Sequence, residues 1–331
     1  MRRLIVVCVW IWICSCESPE SHSHQANYDR LKTLINGLEG EGKSLMQEID
    51  EIARFSEKLL VSSNQSEELR VDSKYTIVDG ISTNRPGDGS DLSTIYISQL
   101  ATDMPLARKE VLITNSLDSV FKDLVFKYPL VSQVYTNSVN QVSRVYPSYD
   151  AVNLLDPDLD VTTFNFFYEA DESHNPERVP RWLPDPYIDP AGRGWIVSLV
   201  TPIYHEEKLH SVLGIDFRIE EVLSPFLESF DGDYLVVTGK GDIVAGSPQA
   251  INKLGFPPLR NHVYRETIRS NNFRISDYNL YNSKSPEVRD MAQSLLLSSK
   301  EHFEFENEGG LTCAISSRFE LVDWLLIEIF N

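Results

Sequence analysis

Apolar residues recur every seven positions early in the chain, at Leu31, Leu38, Leu45, Ile52 and Leu59, with Ile35 and Ile49 on the adjoining seam. This spacing predicts one long amphipathic helix over residues 28–63. Gly37, Gly40 and Gly42 weaken it, each costing up to about 1 kcal/mol inside a helix. The stripe has two readings: packing along the chain's own domain, with a homodimer through the helix as an addition, or a dimerising coiled coil. Residues 62–91 are rich in loop formers, and the acidic residues of Asn84-Arg85-Pro86-Gly87-Asp88-Gly89-Ser90-Asp91 lack calcium-loop spacing. A single helix is expected over 105–128, its apolar side carrying Leu106, Val111, Leu117, Phe121 and Leu124. Strands are expected over 131–135 and 141–146, paired across Thr136-Asn137-Ser138, and a further aromatic strand over 162–168.

The clearest alternation lies between residues 195 and 217. Two β-rich runs, 195–204 and 209–217, flank His205-Glu206-Glu207-Lys208, which signals a hairpin. Val212, Gly214 and Asp216 share one face of the second run, and Leu213, Ile215 and Phe217 share the other. A carboxylate beside a glycine on a sheet face suggests room for a pocket. Upstream, Tyr187 and Asp189 point the same way if the chain is extended, and Pro190 favours that geometry. A helix over 219–230 leads to a hairpin around Gly239-Lys240-Gly241-Asp242, a helical stretch over 286–298, and strands over 302–306, 312–316 and 324–330. The order of elements predicts an α+β chain.

With 331 residues, 42% hydrophobic and 24% charged, the chain is long enough for two modest globular modules. A net charge of −19 disfavours nucleic acid and electrostatic docking on anionic lipid. Met1-Arg2-Arg3 followed by the apolar stretch 4–14 has the form of a secretion signal, too short to span a bilayer, which needs about 20 residues. Ile13-Cys14-Ser15-Cys16 resembles a bacterial lipobox, with Cys16 the residue to be acylated, although Cys14 stands where a small residue is usual. The other reading is an ordinary signal cut near Ala26. A polar tether is expected over 17–27, with His22 and His24 as linker residues. Beyond the signal only Cys313 remains, so no disulfide framework is expected. The chain is therefore expected to be exported, and either lipid-anchored at a bacterial membrane, on its periplasmic or cell-surface side, or secreted if Cys16 is not acylated.

Catalysis has little material. His205 and His210 are five apart in a predicted hairpin, not four apart on a helix, and no nucleophile elbow, phosphate loop or dinucleotide fingerprint occurs. No enzyme activity, cofactor or metal is expected. Binding is better supplied: Asp189 and Asp216 suit an amino or cationic group, Tyr135, Trp182 and Tyr187 offer aromatic walls, and Arg178 or Arg144 could pair with a carboxylate.

The ordered residues Asn175-Pro176-Glu177-Arg178, Trp182, Pro186-Tyr187-Ile188-Asp189, Gly194-Trp195, Thr201-Pro202-Ile203-Tyr204 and Gly214-Ile215-Asp216 resemble the signature of double Cache sensor domains. The resemblance covers residues 26–331. It implies a long N-terminal helix followed by two PDC/Cache-like α/β modules with central antiparallel sheets, a membrane-distal one over 64–220 and a membrane-proximal one over 221–331. It implies a small polar ligand such as an amino acid or amine in the distal module, with Tyr135, Arg144 and Tyr146 on the pocket floor. One departure bears on the ligand: Pro180 stands where amino-acid-binding members carry the arginine of an Arg-x-Trp pair. Since no output segment follows residue 331 in the sequence, a separate membrane signalling protein is the expected partner. The alternative is a structural or adhesive envelope lipoprotein that keeps the fold without a ligand.

Overall fold

The heptad stripe forms one helix, α1, over Pro19–Ser63. At 1.5 Å per residue it is about 68 Å long. It starts ahead of the expected position, so the tether is helical from Pro19, a residue well suited to a first turn. In this computed structural model the described residues are 19–63, 75–78, 81–84, 91–189, 193–257, 278–307 and 310–330. The signal stretch with Cys16 and residues 190–192 of the signature lie outside them. No helix among the described residues is long and apolar enough to cross a membrane.

Two hairpin strands, β1 (Tyr75–Val78) and β2 (Ile81–Asn84), occupy part of the region expected to be loop. The first module, named distal here only after the expectation above, is built on β3 (Thr94–Ile97), β4 (Val131–Ser138), β5 (Val142–Tyr146), β6 (Arg181–Trp182), β7 (Tyr187–Ile188), β8 (Trp195–His205) and β9 (Lys208–Arg218). Their order is β3-β5-β4-β9-β8-β6, with β7 also paired to β8, and every pairing is antiparallel. Glu206 and Glu207 both take positive φ, 50° and 62°, which makes the β8–β9 connection a two-residue turn whose twist matches the strands. The proximal sheet runs β11-β10-β14-β13-β12. It comprises β10 (Tyr234–Thr238), β11 (Ile243–Gly246), β12 (His302–Asn307), β13 (Gly310–Arg318) and β14 (Trp324–Phe330).

One apolar core runs beneath α1 through both modules. It joins Leu31, Leu45, Ile49 and Ile52 of α1 to Leu199, Leu213 and Ile215 of the distal sheet and to Val236, Ile315 and Leu326 of the proximal one. The stripe is thus buried against the chain's own sheets, which leaves α1's opposite face for any contact with a second copy. Gly42 sits at the junction, where an added Cβ would lie 2.8 Å from Leu321 and 3.5 Å from Trp182. Polar pins accompany the apolar contact: Glu39 Oε1 accepts the amides of Glu320 and Leu321 at 2.6 and 2.7 Å, and Arg30 pairs with buried Glu328. Toward the distal end, Glu57 accepts the Tyr204 amide at 3.1 Å. The modules also touch directly, the Trp324 indole donating to the Pro184 carbonyl at 2.6 Å.

Three expectations are corrected. The helix over 105–128 is two helices, α2 (Met104–Ile113) and α3 (Leu117–Lys127), separated at Thr114-Asn115-Ser116. These side chains compete locally with helical hydrogen bonding, and Arg144 reaches into the gap from β5. Its guanidinium donates to the Val111 carbonyl at 2.8 Å, to Thr114 Oγ1 and Asn115 Oδ1, and pairs with buried Asp118. Strand β4 runs on to Ser138, so the turn lies at 139–141, where Gln141 takes φ 63°. The expected aromatic strand over 162–168 is instead a 3₁₀ turn, Val161–Thr163, followed by a one-turn helix, Asn165–Tyr168.

The fully buried Arg144–Asp118 pair makes a sharp test. Arg144→Met strands a buried carboxylate and is expected to destabilise the fold by about 3–5 kcal/mol in urea unfolding, while adding Asp118→Leu recovers much of that loss.

Candidate functional site

Alternation across the distal sheet separates two chemistries. On the face toward α1 and α3 lie Val134, Leu199, Leu213, Ile215 and Phe217. On the other face the central strands present Gln133, Tyr135 and Asn137 from β4, Ser143 and Val145 from β5, Ser198 from β8 and Asp216 from β9. A cavity of about 50 Å³ opens above them, roofed by Tyr149, Val161, Phe164 and Phe166 and bordered by Tyr96, Tyr187 and Asp189. That volume holds a few waters or the head group of a small ligand.

Asp216 anchors the floor. It is fully buried, and its cross-strand neighbours on both sides are polar: Gln133 opposite it on β4 and Ser198 opposite it on β8. The Gln133 amide donates to Oδ2 and the Ser198 hydroxyl to Oδ1, each at 2.5 Å. Tyr187 Oη shares the Ser198 hydroxyl at 2.9 Å. Burial first, and then the nearby Asp189 charge, raise the Asp216 carboxyl from 3.8 to about 7, against the lowering pull of Ser198, Gln133 and Arg193. Burial and the Asp216 charge likewise push the Tyr135 and Tyr187 phenols well above their ordinary value, so both are O–H donors at neutral pH.

Asp189 is also buried, and its amide donates to the Gly194 carbonyl at 3.0 Å. Arg193 folds back over the cavity edge. Its guanidinium donates to Gln133 Oε1 and to the Pro147 carbonyl, stands 5.6 Å from the Tyr149 ring centre, and its amide donates to Asp189 Oδ2 at 3.3 Å. A chain of contacts thus runs Asp189–Arg193–Gln133–Asp216–Ser198–Tyr187.

Of the eight expected ligand residues, Tyr135, Tyr187, Asp189 and Asp216 converge on this cavity. The other four do not. Arg144 and Tyr146 lie on the opposite face of β5, because strand parity places them with Val134 and the α2–α3 break rather than with Ser143 and Val145. Arg178 is at the surface, its guanidinium 4.0 Å over the Tyr204 ring and paired with Glu207 at 2.9 Å. Trp182 turns toward α1, its ring tilted against that of Phe217 at 5.4 Å and set against the bare backbone of Gly42. The space expected above Gly214 is already filled. Tyr135 stands directly opposite on β4, and its ring lies over the glycine so closely that a Cβ there would sit 2.1 Å from Cζ. The ring replaces the side chain the glycine lacks, and leaves Tyr135 Oη buried without a hydrogen bond among the described residues. Gln133 and Ser198 share strand faces with Tyr135 and Asp216, so alternation alone could have found them; Arg193 and the roof carried no such signal.

Two outcomes follow from the floor. Gly214→Ala must displace Tyr135 and is expected to cost about 1–3 kcal/mol, most of it recovered in Gly214→Ala/Tyr135→Leu, as read by urea unfolding. For Asp216 the folded carboxyl binds its proton more tightly than the unfolded one. Its contribution to stability is therefore full below about pH 4 and falls as pH rises to about 7. Asp216→Asn should flatten that part of the Tm-against-pH curve.

No family model and no curated protein matches the sequence. The fold, however, matches solved structures. The ligand-binding domain of the Campylobacter jejuni chemoreceptor Tlp3 in complex with L-norvaline aligns over 97% of this chain and 95% of that one, at TM-score 0.51 and 13% identity. The ligand-binding domain of the Pseudomonas fluorescens chemoreceptor CtaA in complex with L-isoleucine aligns over 94% and 93%, at TM-score 0.51 and 12% identity. The sensory domain of Tlp3 (CcmL) aligns over 94% of each chain at TM-score 0.51 and 12% identity. What is shared at this identity is the fold: a long helix carrying two α/β modules, the double Cache architecture of chemoreceptor sensory domains.

Proposed function

We propose that the chain is an extracytoplasmic sensor module that binds a small polar ligand bearing an amino or cationic group in the distal cavity. One observation carries this reading: Asp189 and Asp216, both buried, face one small cavity walled by aromatic rings. Buried charge is costly and has to be matched, and Asp216, whose hydrogen-bond donors Gln133 and Ser198 are both neutral, leaves a place for a cationic head group. The tyrosine hydroxyls add donors and acceptors, and the ring faces add cation–π attraction. The ligand set is then Tyr135, Tyr187, Asp189 and Asp216, with Gln133 holding Asp216 in place and Arg193 at the edge. The signal-like start and Cys16 support export and lipid anchoring, and a separate membrane protein would receive the signal. The other reading, an envelope lipoprotein that keeps the fold without a ligand, is favoured by the small volume of the cavity, about 50 Å³.

A thermal-shift screen against amines, amino acids and organic acids separates the two. A ligand present at a hundredfold excess over its Kd stabilises by about 2.7 kcal/mol. The sensor reading expects an amine-bearing hit that is lost in Asp189→Ala and in Asp216→Ala and kept in Arg178→Ala. Silence across the panel from a folded protein overturns it in favour of the structural lipoprotein.

The affinity for such a ligand should also follow pH. Below about pH 7 Asp216 is protonated and offers a cation no charge; above it the carboxylate is ionised. Titration calorimetry should therefore find affinity rising by about tenfold per pH unit from pH 5.5 to 7 and levelling off beyond, with the slope absent in Asp216→Asn.

A further inference from the structure

Far from the cavity, three metal-ligating groups of different chemistry meet at the edge of the proximal sheet. Strand β12 is the outermost strand, paired only to β13 within the sheet. Phe303 and Phe305 point into the core beneath the helical segment, so His302 and Glu304 point to the other face. Cys313 of β13 stands directly opposite Glu304, and by the same alternation it faces away from buried Ala314, joining them. One donor atom from each of His302, Glu304 and Cys313 lies within 4.8 Å of the others, and His302 Nε2 is 3.2 Å from Glu304 Oε1.

We propose that His302, Glu304 and Cys313 form a binding site for a borderline divalent cation of the zinc type. A thiolate, an imidazole and a carboxylate are the donor set such ions take, whereas calcium and magnesium avoid sulfur. The strand pair presets the geometry. The two β12 ligands are two residues apart on one face, and the third comes from the neighbouring strand at the same level, so tetrahedral ligation asks only for side-chain adjustment of about 1 Å. Three protein ligands leave the fourth position to water or to a group brought by another molecule. An ion here would clip the outer face of the edge strand to its neighbour, adding to the backbone ladder and to the core contacts of Phe303 and Phe305 on the other face. Binding displaces the proton of the Cys313 thiol, so affinity should fall on acidification.

Cobalt(II) is the direct probe, because a thiolate ligand gives it a near-ultraviolet charge-transfer band. The test uses the full chain with Cys8→Ser, Cys14→Ser and Cys16→Ser, leaving Cys313 as its one thiol. The expected result is a band that saturates at one equivalent, is displaced by zinc, disappears in Cys313→Ser, and weakens by tenfold or more in affinity in His302→Ala and in Glu304→Gln. Changes outside the ligand shell already cost roughly 10–100-fold. His302 and Glu304 are partly exposed, so both variants should fold, which circular dichroism checks. If the folded chain gives no band, or if the band keeps its affinity in both His302→Ala and Glu304→Gln, the cluster is an ordinary ion pair beside a core cysteine and the proposal fails.

Discussion

A β-strand has two sides, and the distal sheet assigns them to incompatible solvents. On β9, Leu213, Ile215 and Phe217 enter the apolar core beneath α1, while Val212, Gly214 and Asp216 lie on the other side, where Asp216 lines the cavity and Tyr135 covers Gly214. The same partition holds on β4, where Val134 faces the core and Gln133 and Tyr135 face the cavity. A slip of one residue would drive Asp216 into the core and turn Leu213 and Ile215 into the pocket. The large apolar face therefore fixes the register, and the register in turn sets Gln133 and Ser198 on either side of Asp216. The polar site is positioned by the side of the sheet it does not use.

That division also explains how a buried carboxylate is tolerated. Asp216 loses its hydration, and two short hydrogen bonds replace only part of it, which is why its proton is held so tightly. Asp118 meets the same problem behind the sheet and solves it differently, with a full guanidinium partner in Arg144. One pocket-facing acid is left with neutral donors and one core acid is neutralised by charge. The first is an arrangement a ligand can complete; the second is already complete.

Much of this was legible in the chain. The β8–β9 hairpin, the shared face of Tyr187 and Asp189, the face carrying Asp216, and the α1 stripe all follow from periodicity that short-range sterics enforce. What could not be read depended on partners distant in sequence. Arg144 and Tyr146 emerge on the side opposite Tyr135 because Val145 pairs with Tyr135, a parity that a three-residue loop at 136–138 or at 139–141 gives alike, so only the loop's place along the strands was hidden. The break between α2 and α3 is stabilised by the same arginine from another strand. Phe164 and Phe166 have the composition of a strand but roof the cavity instead. Trp182 belongs to the family-like signature, yet its direction is decided by Gly42 on a helix far upstream.

The rod-like helix has one mechanical consequence. α1 is pinned to the proximal module through Arg30, which pairs with Glu328 of β14, and Glu39, which caps the β13–β14 connection, and to the distal hairpin through Glu57. Between Arg30 and Glu57 lies about 40 Å of unbroken helix. Two bodies bolted to one stiff bar cannot twist against each other without bending the bar or withdrawing a bolt.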